Sequence, residues 1–163
     1  MSGKIHIFCG TGTGKTSAAL GKGIREASAG KNVIVIQFLK EKNNEKVSDY
    51  FKRLEPELRL FRFEKFPENY ESLTERERED ECRNIKNGLN FARKVLVTEE
   101  CDILILDEIL GLTDRGIVTI EELRALIDLV GDAMELYLTG TSRCEELWPY
   151  VDEVTLMTAP GAR

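Results

Sequence analysis

Two short stretches of this chain carry side chains suited to one chemistry, the handling of a magnesium-bound polyphosphate. The first is Gly10-Thr11-Gly12-Thr13-Gly14-Lys15-Thr16. Glycines let a backbone close around phosphate oxygens with no β-carbon in the way, so that its N–H groups converge on one anion. Lys15 would place a point charge on the transferred or departing phosphates, and the Thr16 hydroxyl would ligate Mg²⁺. The strict form of such a loop is glycine, any four residues, then Gly-Lys-Thr. Gly14-Lys15-Thr16 fits it, but Cys9 stands at the first glycine position and Gly10 falls one place late. The second stretch is Asp107-Glu108, which closes the apolar run Ile103 to Leu106. A carboxylate at that strand end would complete a metal site, and the sequence leaves open which of Asp107 and Glu108 is the metal partner.

The rest of the composition removes competing chemistries. Histidine occurs once, at His6, and the four cysteines, Cys9, Cys82, Cys101 and Cys144, form no C-x-x-C pair. Neither a zinc site nor a disulfide framework is expected from that pattern. Ser-His or Cys-His activation would have to use His6, which lies in a strand pattern and reads as a packed side chain. The formal charge of -6 repels a phosphate-rich polymer at long range, and with no basic patch a nucleic-acid partner is not expected. Apolar runs such as Val33 to Phe38 fall short of the roughly 20 residues that span a bilayer. The N-terminus lacks a signal-peptide pattern, so a cytosolic protein is expected. A length of 163 residues with 42% hydrophobic side chains suits one domain over 1–163.

The elements around the two stretches are those that would position them. Lys4 to Phe8 has strand composition and runs into the glycine loop, after which Ser17 to Ala29 has helical spacing and ends at Gly30. Val33 to Leu39 is a nearly unbroken apolar run with Gln37 inside it, as in a strand covered on both faces. A short helix over Glu45 to Leu54, a strand over Leu58 to Phe63 and a loop through Phe66, Pro67 and Tyr70 follow. Ser72 with Glu75, or Thr74 with Glu77, could cap a long helix to about Val97, with Cys82, Ile85, Leu89, Ala92 and Leu96 on one face. Asp102 to Asp107 reads as a buried strand, and Thr119 with Glu122 caps a helix through Val130. Glu135 to Thr139 is a strand, Ser142 with Glu145 starts a short helix, and Glu153 to Met157 is the last strand. Alternating strands and helices predict an α/β fold, a parallel β-sheet flanked by helices with its ligand at the carboxyl ends of the strands. With the glycine loop, that is a P-loop NTPase of RecA-like architecture.

Four stretches carry a closer likeness: Phe8 to Ala19, Val35-Ile36-Gln37-Phe38-Leu39-Lys40, Leu104-Ile105-Leu106-Asp107-Glu108, and Leu138-Thr139-Gly140 with the later Val154-Thr155. In order, spacing and size the chain resembles the P-loop ATP:corrinoid adenosyltransferases, which transfer the 5′-deoxyadenosyl group of ATP to the cobalt of a reduced corrinoid. The resemblance implies attack by Co(I) on C5′ of ATP with the triphosphate as leaving group. It implies that Gly10, Thr11, Gly12, Thr13, Gly14, Lys15, Thr16 and Ser17 hold the nucleotide, with Arg25 as a further contact. Lys15 would offset the growing charge, and Thr16 with Glu108 would hold Mg²⁺, which makes Lys15, Thr16 and Glu108 the catalytic candidates. It also implies a homodimer, and aromatic residues near Phe63, Phe66 and Tyr70 that enclose the corrinoid, although core packing is the simpler reading of Phe63. No protein base is needed, in keeping with the lone histidine.

The chain departs from that family at three points. Thr13 replaces a usual lysine before Gly14, Leu156 stands where the family has a glutamate in Val-Thr-Glu-Met, and the usual His-Pro and glycine-rich tail is missing after Pro160-Gly161. These changes fit a divergent transferase. The alternative they leave is a P-loop ATPase or a nucleotide-binding regulatory module without corrinoid transfer.

Overall fold

The computed structural model describes residues 4–38, 49–66 and 68–160. Six strands form one parallel sheet: β1 (Lys4–Cys9), β2 (Val33–Phe38), β3 (Leu58–Phe63), β4 (Ile103–Asp107), β5 (Glu135–Gly140) and β6 (Glu153–Leu156). Their spatial order is β3-β2-β4-β5-β1-β6, each strand parallel to its neighbours. The strand that feeds the glycine loop and the strand that ends in the two acids therefore do not touch; β5 lies between them.

Helices cover both faces. α1 (Lys15–Ser28) packs on the face that bears Phe8, Val33, Val35, Leu58, Ile103, Ile105 and Tyr137. The opposite face, with Ile7, Ile34, Ile36, Leu104, Leu106 and Leu138, is covered by α2 (Glu75–Thr98) and α4 (Ile120–Asp128). Both faces being covered explains why β2 and β4 read as continuous apolar runs. A short turn of helix, α3 (Gly111–Asp114), follows β4 and has no counterpart in the sequence pattern.

Local caps fix the helix starts. Of the two caps offered before α2, Thr74 with Glu77 forms the reciprocal box, with bonds of 3.2 Å and 2.9 Å. Thr119 and Glu122 do the same for α4, which ends at Asp128 rather than Val130. The cap expected at Ser142 does not form. Cys144 takes a left-handed φ of 46° and opens a 3₁₀ segment, Glu145–Tyr150, with Pro149 inside it. Only the end of the helix expected over Glu45 to Leu54 falls within the described residues, as a helical turn passing into the 3₁₀ segment Lys52–Leu54. Leu39 and Lys40 of the second stretch also lie outside them. No helix among the described residues is long and apolar enough to cross a membrane. His6 is buried in β1, stacked on Phe8 and hydrogen-bonded through Nε2 to Thr155 Oγ1 at 2.7 Å.

α2 lies close against the sheet where Gly88 faces two rings. A β-carbon there would come within 2.7 Å of Phe38 Cε1 and 2.8 Å of Phe63 Cγ. Gly88→Val should therefore cost about 1–3 kcal/mol through overpacking. Urea denaturation of both proteins checks this, and an unchanged midpoint would mean that the helix can shift freely.

Candidate nucleotide and metal site

The glycine loop departs from the strict pattern for a visible reason. Cys9 is still the last residue of β1, in extended backbone with its side chain buried, and needs no glycine. The chain turns one residue later, at Gly10, whose φ is 111°. A β-carbon at Gly10 would collide with the carbonyl oxygen of Met157, and one at Gly12 would lie 2.9 Å from the Met157 carbonyl carbon. The exit of β6 thus forms the outer wall of the loop. Met157 N–H donates to Cys9 O and Gly12 N–H to Met157 O, both at 2.8 Å. Gly14, with φ of 100°, is the N-cap of α1; no side chain caps it and no acid lies in the first turn. An uncapped helix start without acids favours an anion at that spot. Lys15 Nζ donates to Gly12 O at 2.6 Å, folded back over the loop, while Thr11, Thr13 and Ser17 are exposed beside it.

The acids meet the loop through side chains on four elements. Asp107, fully buried, accepts from Thr16 Oγ1 at 2.8 Å and Thr139 Oγ1 at 2.6 Å on one carboxylate oxygen, and from Gln37 Nε2 at 3.2 Å on the other. Strand pairing brings these groups together, since Gln37 of β2 sits in register with Asp107 of β4. Donation to Asp107 fixes the Thr16 hydroxyl, whose oxygen is the atom that would meet a cation. Glu108 is half-buried, with a left-handed φ of 66°, and its N–H donates to Thr139 Oγ1 at 2.9 Å. The oxygen-bearing side chains of Thr16, Asp107 and Glu108 are of the chemical type that suits a hard cation such as Mg²⁺, and of the three Thr16 and Asp107 are in direct contact. No group of three or more His, Cys, Asp or Glu side chains able to hold a metal occurs among the described residues. The remaining ligands of such a cation would come from phosphate and water.

Other sequence candidates fall in different places. Arg25 lies in the last turn of α1 and is exposed; at the helical rise it stands about 15 Å along the axis from Lys15, away from the loop. Phe63 packs against Phe38 and Phe91 in the core. Phe66 and Tyr70 are half-buried at the carboxyl end of the sheet. Their segment is anchored by Glu81, a buried carboxylate on α2 that accepts the N–H groups of Lys65 and Phe66 at 3.1 and 3.0 Å. Arg115 ties the same segment to the turn after β4, donating to Glu71 at 3.0 Å and to Gly111 O at 3.4 Å.

Gln37 and Thr139 enter the sequence reading only within strand patterns and the stretches that carry the family likeness, with no site role, and Arg62 and Glu81 are not named there. Gln37 carried a signal, a polar residue inside an apolar strand. Arg62, in register with Gln37, also lies at this rim, with its buried Nε lacking a hydrogen-bond partner.

Comparison with known proteins agrees with this geometry. The family model described as ATP:corrinoid adenosyltransferase BtuR/CobO/CobP matches residues 1–160. The chain is 26% identical over 167 residues to the uncharacterized protein all2391 of Nostoc sp. (strain PCC 7120), covering 93% of this chain and 43% of that relative. It thus spans less than half the length of that relative. The crystal structure of the KaiC-like protein PH0186 from Pyrococcus horikoshii OT3 superposes with a TM-score of 0.65 at 18% identity, covering 99% of this chain and 74% of that one. At that identity the likeness shows the fold.

Burial sets the thiol chemistry around the loop. It pushes the Cys9 thiol up, with Arg143 and Lys15 pulling the other way, and pushes Cys101 up to about 12. Cys144 is buried and Cys82 half-buried. At about pH 7.5 iodoacetamide should modify Cys82 first and the other three only on denaturation, which peptide mass spectrometry reads directly. Rapid labelling of Cys9 in the native protein would mean that the β1 end is open.

Proposed function

The chain belongs to the ATP:corrinoid adenosyltransferase family, and on that premise we propose that it transfers the 5′-deoxyadenosyl group of ATP to Co(I) of a reduced corrinoid. The observation that carries the reading is the Thr16–Asp107 contact at 2.8 Å, which joins the phosphate loop to the acid-bearing strand within a family matched over nearly the whole chain. The Co–C5′ bond forms as the C5′–O bond breaks, and the electron pair leaves with triphosphate.

Each residue has a role in that displacement. The loop from Gly10 to Thr16 would surround the triphosphate with its backbone N–H groups, that of Gly12 excepted because Met157 O holds it, as the triphosphate loses its covalent link and negative charge builds on it. Lys15, released from Gly12 O, meets that charge. Thr16, with Asp107 behind it, and Glu108 would hold Mg²⁺, whose charge lowers the cost of the departing polyphosphate. No group on the protein needs to take a proton, so the protein contributes position and electrostatics. Phe66 and Tyr70, on a segment fixed by Glu81 and Arg115, are the proposed walls for the corrinoid. The reading treats residues 1–163 as one catalytic domain. It includes Mg²⁺ as counter-ion, a cytosolic setting and a homodimer, the last on the family resemblance alone.

Two experiments test the proposal. ATP, Mg²⁺ and a chemically reduced corrinoid under anoxic conditions should give inorganic triphosphate and a light-sensitive cobalt–carbon product. ADP and phosphate formed at a comparable rate would sink the transferase reading in favour of hydrolysis. Lys15→Ala should lower Mg-ATP affinity or turnover by roughly 100-fold or more while its thermal unfolding stays that of the parent. Unchanged affinity and rate would remove the loop from the mechanism.

A further inference from the structure

Thr139 is the last residue but one of β5, fully buried, and touches both acids of the site. Its hydroxyl donates to Asp107 Oδ1 at 2.6 Å and accepts the Glu108 N–H at 2.9 Å. Its carbonyl oxygen accepts the Leu110 N–H at 3.1 Å. The last residue of β4 and two positions of the turn after it therefore hang on one residue of the neighbouring strand. The next residue, Gly140, permits the close approach, since a β-carbon there would lie 2.6 Å from Leu110 Cβ and 2.9 Å from Gly111 N. The turn needs such a hold. Glu108 has a φ of 66°, a left-handed conformation that non-glycine residues keep only where their surroundings enforce it.

We propose that Thr139 is a positioning residue of the nucleotide site. Its hydroxyl fixes the rotamer of Asp107, and through Asp107 the direction of the Thr16 hydroxyl. The same hydroxyl, with the Thr139 carbonyl, keeps Glu108 in its left-handed turn. Thr139 is shielded from solvent and reaches the ligand only through these neighbours. Its effect therefore falls on the magnesium-dependent part of nucleotide binding and spares the part supplied by the loop amides and Lys15. The magnesium part of this inference rests on the proposed function; the hold on the turn does not.

The test uses Thr139→Val, which keeps the shape and loses the hydroxyl, and Thr139→Ser, which restores it. In ligand-free protein, NMR-detected hydrogen exchange of the Glu108 amide should be about tenfold faster in the valine variant and near wild type in the serine variant. Calorimetry with ATP in EDTA and in excess Mg²⁺ should show the magnesium-dependent gain reduced roughly 10- to 100-fold by valine and regained with serine. Affinity without metal should change less than about twofold, because no loop contact is lost. An equal loss with and without Mg²⁺, no rescue by serine, or an unchanged exchange rate would overturn the proposal. Should Thr139→Val not fold, Thr139→Ala, which leaves room for water, takes its place with the same readouts. A wild-type protein with no magnesium-dependent gain would instead count against the function reading, while the amide exchange still decides whether Thr139 holds the turn.

Discussion

A buried carboxylate depends on the donors that reach it, and Asp107 receives them from three separate elements: Thr16 on α1, Gln37 on β2 and Thr139 on β5. Burying such a group without partners is costly, so the network fixes how the helix and strands may sit relative to one another. The same bonds give the site its chemistry. The hydrogen bond that satisfies Asp107 also turns the Thr16 hydroxyl, and the sheet order that places β5 between β1 and β4 makes room for Thr139. On the proposed function, stability and chemistry draw on one set of contacts.

The glycine loop answers a different constraint, lack of space. Its outer side lies against the backbone of Met157, with no room for β-carbons at Gly10 or Gly12. Cys9 at the first glycine position is then no defect, because β1 continues through it and the thiol packs into the core below.

Much of this was legible in the letters. Covered strands such as Val33 to Phe38 and Ile103 to Asp107 show as apolar runs, and Thr74-Glu77 and Thr119-Glu122 show as caps, because these signals are local. Lys15, Thr16, Asp107 and Glu108 stand out as candidates by type and spacing for the same reason. What could not be read is non-local. Gln37 and Thr139 gain their roles only when β2, β4 and β5 lie side by side, and Glu81 only when α2 crosses the segment at Lys65 and Phe66. The cap expected at Ser142 gives way to a 3₁₀ path starting at Cys144. The choice between Asp107 and Glu108 divides by geometry: one acid is locked inside the hydroxyl network, and the other sits on a left-handed turn at its edge.

The reciprocal bonds between Met157 and the Cys9–Gly12 backbone link the phosphate loop to a residue far from it in sequence. A segment emerging from the ribosome would carry its phosphate loop early but could not brace it until β6 had been made and paired beside β1. Closing so long a span has an entropic cost that local contacts do not share. The cradle is therefore braced only once β6 lies beside β1, however early its glycines are made.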